Sequence, residues 1–412
     1  MKRQLHVAYV CADRGVPVGG TKGASVHVAE FARALRSSGA DVRILAARTT
    51  GNFAEVPVVD LGGTRFGREI RKALFERART VRERAAATEV QGLLTNQILG
   101  RELERMHRKW GIDAVYERYS LWSYAAAAFA ETHDIPYALE VNAPLRQEQE
   151  RYRALENPAA AAGLESFLFR AADFVVVPSR ALRPYVVRRG ARRGAVRVLP
   201  NAADPDRFVP TLRSRKEGDE FVVGFLGSLK PWHGLETLVP AFAKLSRLFG
   251  GYRLLVVGDG PMKGELRKGL ATEGLIGKAT FAGEVPHHEV PKYLAGMDAG
   301  LAPYPKIPGF YFSPLKVFEY MGAGVPVVAS RVGQLAEVLA HGRTALLHRP
   351  GSIDGMVRAI ERLRSSPQLA HRLARNARST LVRRFTWRRN AERVLAMFER
   401  HLPARRRRAG RR

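Results

Sequence analysis

Apolar residues along this chain alternate between short continuous runs and longer runs with helical spacing. Leu5–Val10 and Phe174–Val177 are continuous apolar runs, which are typical of strands buried on both faces of a parallel sheet. The segment after the first run has Val28, Phe31 and Leu35 at the spacing of one helix face. Because strands of this kind alternate with amphipathic helices throughout, the sequence predicts an α/β fold with parallel sheets.

A unit of strand, glycine-bearing loop and helix opens each half of the chain. The first strand leads into the loop Val18–Gly23, and a second series begins at Phe221–Gly227. Between them lies Leu199–Pro205, which is rich in turn residues. The chain has 412 residues, 46% of them hydrophobic, whereas a single core stops growing at about 250–300 residues. We therefore expect two doubly wound domains facing across a cleft, with the ligand site at the carboxyl ends of their strands.

The chain is strongly basic, with a net charge of +29 and a pI near 11.0. The arginine-biased composition of an ordinary soluble enzyme would explain this charge. Binding to an anionic membrane surface, an acidic substrate or nucleic acid would explain it as well. The tail at 403–412 is too basic and too poor in apolar residues to fold alone, so we expect it to be disordered. Such a tail gains about 1 kcal/mol per basic residue near anionic lipid. No zinc-ligand spacing or nucleic-acid-binding motif is present, so a nucleic-acid partner is not expected.

The single cysteine, Cys11, excludes internal disulfides and is typical of a reducing compartment. No apolar run approaches the ~20 residues of a membrane-spanning helix. We expect a cytoplasmic protein, peripheral at most on the inner face of a membrane. The histidines and acids lack the spacing of metal ligands, so neither a metal nor a cofactor is expected.

The segment Ser313–Ala329 predicts a loop, a helix that begins at a proline, a glycine stop and a buried strand. Lys316 and Glu319 lie three residues apart on one face of this short helix. The start of a helix attracts phosphate, and a carboxylate further along accepts hydrogen bonds from hydroxyl groups. This segment therefore predicts a site for a phosphate beside a hydroxyl-rich group.

Three glycine-bearing loops lie between a predicted strand and the next helix. Glycine lets the backbone approach a ligand, and the helix start that follows attracts anions. The loop at 227–234 also carries Lys230 and His233, and its composition is too unusual for a simple turn. Ordinary strand-to-helix connections explain the loops with Gly19–Gly20 and Gly258 as well as ligand binding does.

In order and spacing, these segments resemble a retaining glycosyltransferase of family 4, with two Rossmann-like domains in the B-type (GT-B) architecture. The resemblance covers nearly the whole chain, including Ser-Pro-Leu-Lys and Trp-His-Gly arrangements found in a subset of the family. The matching segments are Gly19–Val28, Val177–Ser179, Leu199–Asn201, Gly227–Gly234, Gly258–Pro261, Ser313–Ala323, Glu337 and Phe385–Trp387. It implies an acceptor-binding domain at 1–203, a nucleotide-sugar-binding domain at 204–385 and a helix at 386–402 that crosses back to the first domain.

The resemblance implies a hexosyltransferase that moves a sugar from a nucleotide-sugar donor to an acceptor, with retention and without a metal. The basic surface favours a glycan, lipid-linked or other cell-envelope acceptor. The resemblance assigns Glu319 to the ribose hydroxyls of a UDP, GDP or ADP donor. It assigns Lys230 and Lys316 to the leaving phosphate. The residues it assigns to catalysis are Lys230, Lys316 and Asn142, the last lying where the family often has a histidine nearby. The residues it assigns to the donor are Gly19, Gly20, Ser228, His233, Gly258, Ser313, Pro314, Leu315, Glu319 and Glu337.

Three positions depart from the family pattern. Tyr311 stands where the family has the first of two glutamates, Ser228 where it often has arginine, and His233 where it often has lysine. Two alternatives stay open on this basis. One is a nucleotide-sugar epimerase of similar architecture, which requires a carboxylate and a histidine for the addition of water. The other is a catalytically degenerate scaffold that binds nucleotide sugar, which the presence of both lysines and Glu319 disfavours.

Overall fold

The structure, a computed structural model, describes residues 4–51, 53–211 and 219–409, with side chains described up to residue 402. Its contacts divide the chain into two units. Unit 1 comprises Met1–Gly20, Ala24–Pro200 and Arg388–Arg412, and unit 2 comprises Thr21–Gly23 and Asn201–Trp387. The main division lies close to the predicted boundary at 203/204, and the terminal helix groups with unit 1.

Unit 1 contains a seven-stranded parallel sheet with the order β3-β2-β1-β4-β5-β6-β7. The strands are β1 (His6–Cys11), β2 (Asp41–Ala46), β3 (Val58–Asp60), β4 (Ala114–Arg118), β5 (Tyr137–Glu140), β6 (Phe174–Val177) and β7 (Val196–Val198). The helices are α1 (Gly23–Ser37), α2 (Arg65–Phe75), α3 (Val81–Trp110), α4 (Ala125–Thr132), α5 (Leu145–Tyr152), α6 (Pro158–Ala171) and α7 (Arg183–Arg188). The order runs outwards from β1 and β4, which places the switch point of this sheet between them.

Unit 2 contains a six-stranded parallel sheet with the order β10-β9-β8-β11-β12-β13. The strands are β8 (Phe221–Leu226), β9 (Tyr252–Val257), β10 (Ala279–Gly283), β11 (Ala299–Ala302), β12 (Val327–Ser330) and β13 (Leu346–His348). The helices are α8 (Leu238–Leu248), α9 (Lys263–Thr272), α10 (Val290–Leu294), α11 (Leu315–Ala323), α12 (Gly333–Val338), α13 (Ile353–Ser365) and α14 (Pro367–Arg384). The predicted class, two doubly wound parallel sheets, is confirmed.

The sheet of unit 2 is buried on both faces, which explains its continuous apolar strands. In β12, Val328 belongs to one hydrophobic cluster, whereas Val327 and Ala329 belong to a second. Successive side chains of a strand point to opposite faces, so a strand covered by helices on both sides has no polar alternation. This is the physical basis of the strand predictions in the second half of the chain.

The last helix, α15 (Trp387–Ala409), packs on the sheet of unit 1. The ring centroid of the buried Phe398 lies 5.1 Å from that of Phe174 in β6. The helix continues past the predicted end at residue 402, and the disorder expected for the basic tail at 403–412 stays a prediction. Arginine and alanine favour helix, and the segment 387–409 contains no glycine. Residues 410–412 lie outside the described residues.

The charged region 65–108 contains α2 and α3, which differ in burial. None of the residues of α2 is buried. Helix α3 buries one face, made of Ala87, Glu89, Gln91, Asn96, Ile98, Leu99, Leu103 and Met106. Across the described part of the chain, we find no helix with the length and apolar character needed to span a membrane.

Candidate active site

Two glycine-bearing loops lie side by side at the carboxyl ends of β8 and β9. The Leu229 N–H donates to the Asp259 carbonyl oxygen at 2.9 Å, which joins one loop to the other. Gly258 has a φ of +133°, and a Cβ there would lie 2.2 Å from the Gly227 carbonyl oxygen. Only glycine permits this approach. Gly258, assigned from the sequence to the donor, therefore has a role in shaping the loop that follows β8.

The side chain of Lys316 reaches the loop after β8 from α11. It is 5% exposed, and its Nζ has no hydrogen-bond partner among the described residues. Nζ lies 3.8 Å from the ring centroid of Phe225 and 5.5 Å from that of Tyr304. A Cβ on Gly227 would lie 3.1 Å from Nζ, so a glycine at that position leaves room for the ammonium group.

Burial lowers the pKa of Lys316 to about 7, and the nearby Glu319 carboxylate only partly opposes this effect. A buried cation without an ion-pair partner is unfavourable for the folded protein. Lys316 lies at the carboxyl end of β8, which is a strand at the switch point of this sheet. A buried lysine at this place is suited to bind an anionic ligand.

Lys230 and His233 lie on the same loop as Gly227. The Nδ1 of His233 is hydrogen-bonded to the Ser228 carbonyl oxygen, so Nδ1 carries the proton and Nε2 is left as an acceptor. Burial, followed by the positive charge of Lys316 and then that of Lys230, lowers the pKa of His233 to about 3. The imidazole is therefore neutral. In this cluster the positive charge comes from the two lysines, and His233 offers a hydrogen-bond acceptor.

Glu319 lies one turn further along α11 and is 5% exposed. Its Oε1 accepts a hydrogen bond from His287 Nε2 at 2.8 Å. The adjacent histidines at positions 287 and 288 would suggest a surface position for both. His287 is instead half-buried, and its ring centroid lies 5.6 Å from that of Phe208. No local signal in the sequence connects residue 287 with residue 319.

Helix α11 begins at Leu315, with Pro314 at its N-cap and no side chain capping its first turn. The backbone N–H groups of a first helical turn have no partner within the helix and attract anions. Ser313 is engaged elsewhere. Its Oγ accepts from the Asn201 N–H at 2.9 Å, and its carbonyl oxygen accepts from the Asn201 side chain at 2.6 Å. In this structure, Ser313 anchors the loop before α11 through Asn201.

Glu337 lies on α12 and is exposed. Its neighbour Gly333 has a φ of +44°, and a Cβ there would lie 2.4 Å from the Phe310 ring. This contact joins the start of α12 to the segment before α11. A role for Glu337 towards the donor stays a prediction.

In unit 1 a buried ionic cluster lies at the carboxyl ends of β4 and β5. The Oε1 of Glu140 lies 2.7 Å from Nε2 of His27, and its Oε2 lies 3.5 Å from a terminal nitrogen of Arg118. Burial alone would raise the pKa of Glu140, but His27, Arg118 and Asn142 together lower it to about 2. Residues from α1, β4 and β5 thus meet beside the switch point of this sheet.

The loop after β1 contains the predicted Gly19 and Gly20. Gly19 has a φ of +87°, and a Cβ there would lie 2.0 Å from the Thr50 carbonyl oxygen. A Cβ on Gly20 would lie 3.0 Å from the Ser25 Oγ. The backbone of unit 1 therefore requires glycine at position 19 for its own packing, and a role for either residue towards the donor stays a prediction.

Two family models match the sequence and between them account for most of the chain. One, described as a glycosyl transferase 4-like domain, matches residues 22–202, and the other, described as glycosyl transferases group 1, matches residues 212–380. The chain belongs to the family 4 type of glycosyltransferases. The fold of this glycosyltransferase is accordingly of the GT-B class, with one match falling almost wholly in unit 1 and the other in unit 2.

This glycosyltransferase has relatives in sequence and in fold that match much of its length. It is 28% identical over 319 residues to a 2-deoxystreptamine glucosyltransferase of Streptomyces kanamyceticus, covering 73% of this chain and 81% of that protein. Its fold matches the sucrose-phosphate synthase of Thermosynechococcus elongatus, with a TM-score of 0.71 at 20% identity, over 97% of this chain and 100% of the other. It also matches Anabaena HepE in complex with UDP-glucose, with a TM-score of 0.69 at 19% identity, over 95% and 100% of the two chains.

Within the part of the chain that the structure describes, no group of three or more His, Cys, Asp or Glu side chains is arranged to hold a metal ion.

Proposed function

We propose that this glycosyltransferase transfers a hexosyl group from a nucleotide diphosphate sugar, with retention of the anomeric configuration and without a metal ion. The observation that carries the proposal is the buried ammonium group of Lys316 beside the glycine loop after β8, for which the described part of the chain offers no hydrogen-bond partner. A diphosphate bound there would supply the missing negative charge. Lys230 on the same loop and the uncapped first turn of α11 add further positive potential.

In the reaction we propose, the positive groups stabilise the charge that develops on the leaving phosphate. The bond from the anomeric carbon to the phosphate oxygen breaks, and its electron pair stays on the phosphate. A bond forms on the same face between the anomeric carbon and the acceptor oxygen, and the acceptor proton passes to the phosphate. This front-face displacement needs no side-chain nucleophile, and it gives retention.

A nucleotide-sugar donor is supported by the relatives. HepE was solved with UDP-glucose, and the Streptomyces enzyme is a glucosyltransferase. In the proposed complex the diphosphate lies against Lys316, and the ribose hydroxyls lie against Glu319, one turn further along the same helix face. UDP, GDP and ADP all fit this arrangement, because none of its contacts involves the base.

For the acceptor, we propose a hydroxyl-rich molecule, a glycan or lipid-linked precursor of the cell envelope, that binds to unit 1. The cluster of Glu140, Arg118 and His27 supports this proposal, because it holds a carboxylate and a guanidinium group at the switch point of the sheet. Hydroxyl groups both donate to carboxylates and accept from guanidinium groups. Asn142, which the sequence assigns to catalysis, lies two residues after Glu140 and so beside this cluster.

Incubation with UDP-, GDP- and ADP-sugars tests the proposal. We expect one donor class to give nucleotide diphosphate and free or transferred sugar, equally in the presence of EDTA, and NMR of the initial product to show the anomeric configuration of the donor. Formation of an epimer of the donor would support the epimerase instead, and binding without turnover would support the scaffold. Loss of activity in EDTA that added metal restores would contradict the metal-free mechanism.

We also propose that the enzyme is peripheral on an anionic membrane surface, and α2 supports this proposal. This helix has no buried residue, and its exposed Phe66 lies on the same face as the half-buried Ile70 and Leu74. Its basic side chains are Arg65, Arg68, Arg71 and Lys72. A basic amphipathic helix of this kind binds at the lipid interface through apolar burial and attraction to anionic headgroups.

Reversing two of these charges, in the double variant R71E/K72E, is expected to weaken binding to vesicles with anionic lipid by about 30-fold or more, at about 1 kcal/mol for each charge removed. Co-sedimentation with phosphatidylserine vesicles measures the effect. The double variant R358E/R362E makes the same charge change at exposed positions of α13 and should bind as the wild type does. Equal loss in both variants would mean that net charge alone, and not α2, determines binding.

A further inference from the structure

Arg207 determines which group is the donor in the hydrogen bond between His287 and Glu319. The guanidinium group of Arg207 lies 3.1 Å from Nδ1 of His287, and a guanidinium group only donates. Nδ1 must therefore be the acceptor, so the proton of the neutral ring is on Nε2. Nε2 lies 2.8 Å from Oε1 of Glu319 and donates to it.

Three separate elements of unit 2 build this arrangement. Arg207 comes from the segment before β8, His287 from the turn after β10, and Glu319 from the middle of α11. Phe208, which is buried, packs against the His287 ring, so neighbouring residues supply both the donor and the packing surface. The histidine is thus held from two sides, and its orientation does not depend on Glu319 alone.

We propose that His287 is a positioning residue for Glu319 and that Arg207 selects the tautomer of His287 that this task requires. The inference rests on the proposed function, in which Glu319 accepts hydrogen bonds from the donor ribose. With Oε1 engaged by His287, the carboxylate is held in one rotation and Oε2 is presented to the ligand. A carboxylate held in place before the ligand arrives loses less conformational freedom on binding than a mobile one.

This role has a consequence that general structural damage would not reproduce. His287 acts on the ribose hydroxyls only, through Glu319, and the diphosphate binds to other groups. Replacing His287 should therefore weaken the binding of a nucleotide that carries the hydroxyls and leave unchanged the binding of one that lacks them. The ratio of the two affinities, here called the ribose ratio, isolates the effect.

Calorimetry on the full-length enzyme with UDP, GDP and ADP, each compared with its 2′,3′-dideoxy form, measures the ribose ratio. For the nucleotide that binds, we expect the wild type to prefer the hydroxyl-bearing form by about 10- to 100-fold, the usual range for a hydrogen bond to a charged group. Glu319→Ala and His287→Ala should both bring the ratio close to one. His287→Gln, whose amide N–H can donate to Glu319, should have a ribose ratio between those of His287→Ala and the wild type. Arg207→Ala should also have a ribose ratio below that of the wild type.

His288 provides the matched control, because it is adjacent in sequence and its side chain is 77% exposed. His288→Ala should keep the wild-type ribose ratio. Unchanged affinity for the dideoxy nucleotide shows in each variant that the fold is intact. A wild-type ratio in His287→Ala together with a lost ratio in Glu319→Ala would overturn the positioning role. A wild-type ratio in Glu319→Ala would show instead that the assignment of Glu319 to the ribose, part of the proposed function, is wrong.

Discussion

Replacing Lys316 with Met should reduce sugar transfer by at least about 100-fold, the range for removing one group that stabilises transition-state charge. The same substitution should stabilise the protein. The buried ammonium group has no hydrogen-bond partner among the described residues, and the drop of its pKa to about 7 corresponds to on the order of 3–5 kcal/mol. Met fills a similar volume between Phe225 and Tyr304 without a charge. The measurements are kcat/KM with the active donor and the free energy of unfolding at pH 7.

The stability gain from Lys316→Met should depend on pH in a defined direction. The pKa of Lys316 is lowered on folding, so between about 7 and 10.5 the unfolded chain binds more protons than the folded protein. The free energy of unfolding of the wild type therefore rises with pH between about 7 and 10.5, relative to that of the variant. The stability advantage of the variant shrinks accordingly towards pH 10. Lys292→Met, at an exposed position of α10, should show neither the gain nor the loss of activity. A less stable, fully active Lys316→Met variant would contradict both parts of the prediction.

The second large effect concerns the ionic cluster of unit 1. Glu140→Gln should destabilise the protein by about 3 kcal/mol or more, because it leaves the largely buried Arg118 without its main counter-charge. The pKa of Glu140 is lowered to about 2, so its contribution to stability is complete above the unfolded value of about 4.5 and is lost as the pH falls towards 2. The wild type should show this acid-dependent loss, and the variant should lack it. Denaturant titrations at pH 7, 4 and 3 measure the difference.

A second pair of the same chemistry provides the control. Glu104 lies 2.7 Å from His133, and both side chains are partly exposed to solvent. Glu104→Gln should therefore cost no more than about 1 kcal/mol, as is usual for surface pairs. Equal effects of the two substitutions would show that burial does not strengthen the role of Glu140. Transfer activity should fall in Glu140→Gln and not in Glu104→Gln, since only the former lies at the proposed acceptor site.

Local features of the sequence were sufficient to predict the fold. The predicted strand at Phe174–Val177 has the bounds of β6, because a strand buried on both faces is apolar throughout. Lys316 and Glu319 fall on one face of α11, because helical spacing determines this relation. The buried face of α3 is not evident from the sequence, because charged residues on its solvent side outnumber the apolar ones on its inner side.

The contacts that complete the site join residues far apart in the chain. His287 with Glu319, and Asn201 with Ser313, are brought together only by the order of strands in the sheet of unit 2. Neither pair has a local pattern, so a single sequence does not reveal it. The same holds for Gly258, whose glycine is required by the Gly227 carbonyl oxygen of a neighbouring loop.

The claim that the donor diphosphate binds against Lys316 is tested most directly by proton uptake on binding. At pH 8 a lysine with a pKa of about 7 is mostly neutral, and a bound diphosphate favours its charged form. Calorimetry of nucleotide diphosphate binding in two buffers of different ionisation enthalpy counts the protons. We predict that the wild type takes up close to one proton per nucleotide and that Lys316→Met takes up none and binds more weakly. Binding of equal affinity in both proteins, without proton uptake, would contradict the account.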